Sequence, residues 1–235
     1  MSHTSQTDPA RNPAPSPRIK VCGLTDQFQA VQVSEAGADA VGFVFAEKSP
    51  RLVSKEDVRQ IVKKLPPLVQ AVGVFVDESA DVIREMVRFC GLDMVQLHGS
   101  ESPGFCKLLA PRVIKAFRVK DETVVGEIEN YRGKVRAVLL DAWSSRAHGG
   151  TGKVFDWEIA KKVVLSAGMP VILAGGLDPD NVGDALSRLR PWGVDVSSGV
   201  ETSPGKKDMD RVRRFIKAVK KSSLEEIIEE RDKGF

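Results

Sequence analysis

Lys20-Val21-Cys22-Gly23 and Leu139-Leu140-Asp141-Ala142 each close an apolar, β-branched run with a single residue able to carry a proton. A thiol and a carboxyl so far apart in sequence can face one substrate only if the chain sets the ends of two strands side by side. The pair therefore predicts an architecture as well as a chemistry.

Working outward from these two runs, the chain repeats one theme: an apolar strand of about five residues, a turn rich in Gly, Asp or Ser, then an amphipathic stretch of about ten to twelve. The spacing predicts strands over Arg18 to Cys22, Ala40 to Phe45, Val69 to Val76, Met94 to Leu97, Val113 to Phe117, Ala137 to Leu140, Pro170 to Leu173 and Gly193 to Val196. Helices are expected to begin near Thr25, Ser54, Ser79, Ser102, Glu122, Phe155, Pro179 and Asp208. Ser54-Lys55-Glu56-Asp57 has the pattern of a capping box, and Pro179 suits a first helical turn. Eight such units predict an α/β fold, a single-domain (β/α)8 TIM barrel over residues 18–221, because an open doubly wound sheet usually stops at five or six strands. Residues 1–17 hold four prolines and little to bury, and are expected to form a flexible leader. Residues 222–235 place Leu224, Ile227 and Ile228 at helical spacing opposite Glu225, Glu226, Glu229 and Glu230, which predicts an additional helix.

Composition excludes several classes. With 235 residues and 42% hydrophobic content there is material for one sizeable core. The balance of 35 basic and 32 acidic residues lacks the concentrated positive field of a nucleic-acid footprint. No apolar run approaches the roughly 20 residues of a membrane span. Cys22, Cys90 and Cys106 are odd in number and lack metal-ligand spacing, so a cytoplasmic protein with reduced thiols and no metal is expected.

In such barrels catalytic groups sit at the C-terminal ends of strands. Cys22, Asp77, His98, Asp141 and Gly175-Gly176 all fall there, and Ser197-Ser198-Gly199 follows the eighth strand. Small residues after the seventh and eighth strands let backbone N–H groups approach an anion, the usual phosphate cradle of such barrels, so a phosphate ester is the expected substrate class. Each residue has a plainer alternative. Cys22, like Cys90 and Cys106, could be an inert buried thiol; Asp141 could brace a loop or cap a helix; His98 could pack behind the site; Asp77 could end its strand; Gly175-Gly176 could be a tight turn. Gly149-Gly150-Thr151-Gly152-Lys153 lacks the Ser or Thr that a P-loop needs after its lysine, so a loop over the site is expected there.

Taken in order, Lys20-Val21-Cys22-Gly23-Leu24-Thr25, Gly37-Ala38-Asp39-Ala40-Val41-Gly42-Phe43-Val44-Phe45, Ser49-Pro50-Arg51, Val95-Gln96-Leu97-His98-Gly99, Leu140-Asp141, Gly149-Gly150-Thr151-Gly152-Lys153, Ala174-Gly175-Gly176-Leu177 and Asp195-Val196-Ser197-Ser198-Gly199-Val200-Glu201 resemble the phosphoribosylanthranilate isomerase family of tryptophan biosynthesis. The resemblance runs from about Arg18 to Lys220. It implies an Amadori rearrangement of N-(5-phosphoribosyl)anthranilate to 1-(2-carboxyphenylamino)-1-deoxyribulose 5-phosphate, without a cofactor, by a monomer or homodimer. It also implies roles: Asp141 as general acid at the ring oxygen, Cys22 as general base at C2, Arg51 as anchor of the anthranilate carboxylate, His98 lining the site, and Gly175, Gly176, Ser198 and Gly199 binding phosphate. These roles make opposite demands, since Asp141 must keep a proton near neutrality and Cys22 must lose one. Two rivals stay in view. A histidine-pathway Amadori enzyme would carry an aspartate where this chain has Cys22, and a barrel that only binds a phosphometabolite would not need both Cys22 and Asp141.

Overall fold

The computed structural model describes residues 16–119, 121–141 and 157–232, with side chains as far as Ser222. Eight parallel strands form a closed barrel in chain order: β1 (Arg18–Cys22), β2 (Ala40–Val44), β3 (Gln70–Phe75), β4 (Met94–Leu97), β5 (Val113–Arg118), β6 (Ala137–Asp141), β7 (Val171–Ala174) and β8 (Gly193–Val196). Closure is made by β1, which pairs Val21 with Val41 of β2 on one side and with Val196 of β8 on the other. The helices are α1 (Gln27–Glu35), α2 (Lys55–Val62), α3 (Ala80–Cys90), α4 (Pro103–Leu109), α5 (Thr123–Glu129), α6 (Trp157–Ser166), α7 (Val182–Leu189) and α8 (Met209–Asp232). A short hairpin, β9 (Glu201–Ser203) and β10 (Lys206–Lys207), precedes α8.

Helix starts follow local chemistry. The hydroxyls of Ser54, Ser79 and Ser102 accept from the amides of Asp57, Val82 and Phe105, each satisfying an N–H with no partner inside its helix. At Ser54 the box closes differently from the usual form, because the hydroxyl also donates to Asp57 Oδ2 at 2.6 Å. Pro179, expected in a first helical turn, lies in the turn before α7, where Asp178 Oδ1 accepts from the amides of Asp180 and Asn181. The stretch expected to form an additional C-terminal helix is helical to Asp232 as the continuation of α8. Residues 1–15 of the proposed leader and the glycine-rich run at 149–153 lie outside the described residues. Among the described residues, no helix is long and apolar enough to cross a membrane, and no group of three His, Cys, Asp or Glu side chains could hold a metal ion.

Strand alternation divides the core and aims the site. Ile19, Val21, Val138, Leu140, Val194 and Val196 pack outward beneath the helices. Val72, Met94, Ile114, Ala116, Ala137, Leu139, Ile172 and Ala174 fill the barrel interior. Burying an aliphatic side chain of this size stabilises the fold by about 1.5–3 kcal/mol. The same period of two turns Lys20 and Cys22 of β1, Gln96 of β4, Asp141 of β6 and Asp195 of β8 inward, away from the helix layer.

Candidate active site

Of those inward residues, Cys22, Gln96, Asp141 and Asp195 meet at the C-terminal mouth in a cavity of about 460 Å³, while Lys20 is not part of its wall. Its wall includes Cys22, Arg51, His98, Asp141, Gly175, Gly176 and Ser198, so seven of the eight residues expected from sequence come together. Gly199 is absent from that wall. A Cβ there would collide with the Leu177 carbonyl, so its missing side chain lets the loop after β8 close onto the loop after β7. Gly175 and Gly176 adopt φ of 82° and 68°, which side chains other than glycine rarely tolerate. Beyond Ser197 the chain makes a single 3₁₀ turn, Ser198–Val200.

Asp141 ends β6 and remains one-fifth exposed, with its Oδ2 3.3 Å from His98 Nε2. The two groups face one another without a hydrogen bond, since His98 Nε2 lies outside hydrogen-bond geometry. Behind the ring, Gln96 Nε2 stands 3.4 Å from His98 Nδ1, while Gln96 Oε1 has no hydrogen-bond partner among the described residues. The histidine thus lines the site between a buried amide and the carboxyl.

Arg51 is held by Glu201. Its Nε donates to Oε1 at 2.9 Å and its Nη2 to Oε2 at 2.6 Å, so one edge of the guanidinium is taken by the protein. Glu201 also accepts from Lys207 Nζ at 2.7 Å, and Lys207 in turn donates to the carbonyl oxygens of Cys22 and Ser197. Burial opposes the Glu201 charge, yet Arg51 and Lys207 outweigh it and hold the carboxyl below its ordinary range. Burial likewise pushes the Lys207 ammonium down, against Glu201. Gly23 must lack a side chain because a Cβ would strike the Arg51 stem.

Burial is the largest influence on Cys22 and pushes its thiol up; Lys20 pulls it down, Asp195 pushes it up and Lys207 pulls it down. Cys90 and Cys106 lie away from the cavity, and burial drives both to about 11. Asp77 braces rather than lines this cavity. It takes φ of 52°, and its Oδ1 accepts from the amide and hydroxyl of Ser100.

Sequence reasoning missed Lys20, Gln96, Arg118, Asp195, Glu201 and Lys207. A charged or amide residue inside an otherwise buried β-branched strand, as in Ile19-Lys20-Val21 or Val194-Asp195-Val196, is a signal that could have found three of them, because such a group needs a buried partner. Nothing comparable marks Lys207, which reaches the site only through the hairpin.

Comparison with known proteins gives one answer. The family model described as N-(5'phosphoribosyl)anthranilate (PRA) isomerase matches residues 19–218. An N-(5'-phosphoribosyl)anthranilate isomerase of Geobacter sp. (strain M21) is 52% identical, covering 88% of this chain and 99% of that one. The crystal structure of the Thermotoga maritima enzyme is 44% identical with a TM-score of 0.80, covering 87% of this chain and 99% of that one. A further structure, of phosphoribosyl anthranilate isomerase bound to reduced 1-(o-carboxyphenylamino)-1-deoxyribulose 5-phosphate, is 42% identical with a TM-score of 0.78 and covers 87% of this chain and 99% of that one. With its fold, its cavity and its matched length in agreement, this chain belongs to the N-(5'-phosphoribosyl)anthranilate isomerase family.

Proposed function

We propose that this chain performs the isomerisation of N-(5-phosphoribosyl)anthranilate in tryptophan biosynthesis with Asp141 as general acid and Cys22 as general base. The observation that carries this reading is the single cavity in which a thiol, a carboxyl, a guanidinium and two glycine-bearing loops face the same space. Asp141 protonates the furanose ring oxygen, the C1–O bond breaks, and the nitrogen lone pair forms the Schiff base. Cys22 then removes the C2 proton, the electron pair neutralises the iminium as an enolamine, and tautomerisation gives the ketone. Protons move and no net oxidation occurs.

The substrate's two anionic ends orient it. The edge of Arg51 not taken by Glu201 receives the anthranilate carboxylate, where a planar fork suits a planar acceptor. The phosphate is held between the loop at Gly175-Gly176 and the turn beginning at Ser198, where backbone N–H groups supply the donors; Gly199 serves by letting these loops close together. His98 lines the cavity beside Asp141. The protein is placed in the cytoplasm, with three unpaired, buried thiols in keeping. Its assembly is a monomer or homodimer, which sedimentation reads directly; the Thermotoga maritima isomerase is described as dimeric, with monomers generated from it.

Supplying freshly made phosphoribosylanthranilate and following the ribulose product tests the reading. Cys22→Ala and Asp141→Ala are each expected to lower kcat by about 10²–10⁴-fold with far smaller changes in KM. Arg51→Ala is expected chiefly to raise KM. Turnover near that of the parent in the Cys22 or Asp141 variant removes that residue's role, and an unchanged KM and kcat removes that of Arg51.

A further inference from the structure

Below the thiol lies an ion pair that the reaction steps above do not use. Lys20 and Asp195 are 4% and 7% exposed, and Lys20 Nζ donates to both carboxylate oxygens at 3.0 Å. Burying two charges costs about as much as their attraction returns, so such a pair adds little to stability. Its location is the informative property.

Lys20 precedes Cys22 by two residues on β1, so both side chains leave the strand on its inward face. Cys22 pairs in register with Gly42 of β2, and a Cβ built on Gly42 would stand 2.6 Å from Cys22 Sγ and 3.1 Å from Lys20 Nζ. Thiol and ammonium therefore share the space that Gly42 leaves empty, within the roughly 4–6 Å over which a cation favours the charged form of its neighbour. We infer that Lys20 is a positioning residue that stabilises the thiolate of Cys22, and that Asp195 sets how much of the Lys20 charge reaches the sulfur. This rests on the reading of Cys22 as the base.

The other charged groups around the thiol are otherwise engaged. Lys207 spends its donors on the Cys22 and Ser197 carbonyls and on Glu201. Arg51 is forked onto Glu201. His98 and Asp141 face one another at the cavity wall. Lys20 donates to both oxygens of Asp195, its pair partner on β8, and the remaining face of its ammonium is turned to the Cys22 thiol. Burial opposes the Lys20 charge, but Asp195 and Cys22 outweigh it and hold the ammonium above its ordinary value, so Lys20 stays protonated through neutrality.

The test follows Cys22 itself, by iodoacetamide labelling of the full chain from neutral to alkaline pH with the Cys22 peptide read by mass spectrometry, alongside the pH profile of kcat/KM. Lys20→Met should move the thiol titration and the acid limb to higher pH by about one pH unit or more, lowering kcat near neutrality about tenfold while KM changes little. Asp195→Asn should move both to lower pH, since the Cys22 thiolate is then the counter-charge left to offset burial of the Lys20 ammonium. A merely structural pair has no reason to shift the two variants in opposite senses. Displacement in the same direction, or none in either variant, overturns the inference. Should Lys20→Met fail to fold, Asp195→Asn decides alone: a lower titration supports the inference, and an unmoved or higher one overturns it. Failure of the base reading is separable, because it shows as retained turnover in Cys22→Ala whatever the labelling profile does.

Discussion

Lys115 and Lys20 are both almost wholly buried, and each sets its ammonium 3.0 Å from a carboxylate, Glu101 in one case and Asp195 in the other. Their surroundings differ. Lys115 also donates to the carbonyls of Gly99 and Ala116, and Glu101 accepts from the amides of Asp77 and Gly99, so both charges are saturated by groups of β5 and of the loops after β3 and β4. Tyr131 completes that brace by donating to the Glu101 carbonyl. Lys20 has Asp195 and, beside it, a thiol. The first pair is consumed in holding backbone; the second leaves part of its field for the neighbouring thiol. A buried charge is informative about function in proportion to what its partners leave unspent.

The contrast can be broken most forcefully at Lys115. Lys115→Met strands Glu101 in the interior and is expected to cost about 3–5 kcal/mol in denaturant unfolding, with the labelling titration of Cys22 unmoved. A shifted titration there would erase the distinction between the two lysines. Glu201→Gln comes next, since it removes charge-assisted bonds to Arg51 and Lys207, each worth about 1.5–3 kcal/mol. The folded Glu201 carboxyl sits below its ordinary 4.5, so its stabilisation is fully present above that value and is lost as pH falls through the folded one. Thermal melting across that acid range should show the variant losing less stability on acidification than the parent. The smallest effect is expected from Tyr131→Phe, about 0.5–1.5 kcal/mol for one hydrogen bond, with kcat and the pH profile unchanged.

The barrel is legible in the sequence because each strand is a short buried run bracketed by Gly, Asp or Ser, and its ends fall within a residue or two of where the turns place them. Cys22, Asp141 and His98 are legible for the same reason, as polar residues closing or following apolar runs. Arg51 needed the family motif, since a loop arginine carries no local mark. What stayed hidden depends on closure. Lys20 and Asp195 are adjacent only because β1 meets β8, and Glu201 reaches Arg51 only because the loop after β8 folds back over the loop after β2. Gly199 carries a second constraint that its motif does not display: a side chain there would collide with the Leu177 carbonyl, so the loops after β7 and β8 pack together only around a glycine.

The β1–β8 seam also orders events in time. Lys20 and Asp195 are 175 residues apart, and Lys207 lies 185 residues from the Cys22 carbonyl it holds. A chain emerging from the ribosome carries its thiol from the start and acquires the groups around it last, when the final strand and hairpin close the ring. A truncated or half-folded barrel thus lacks the organised surroundings of Cys22, and the appearance of activity during refolding reports ring closure itself rather than the formation of any single strand or helix.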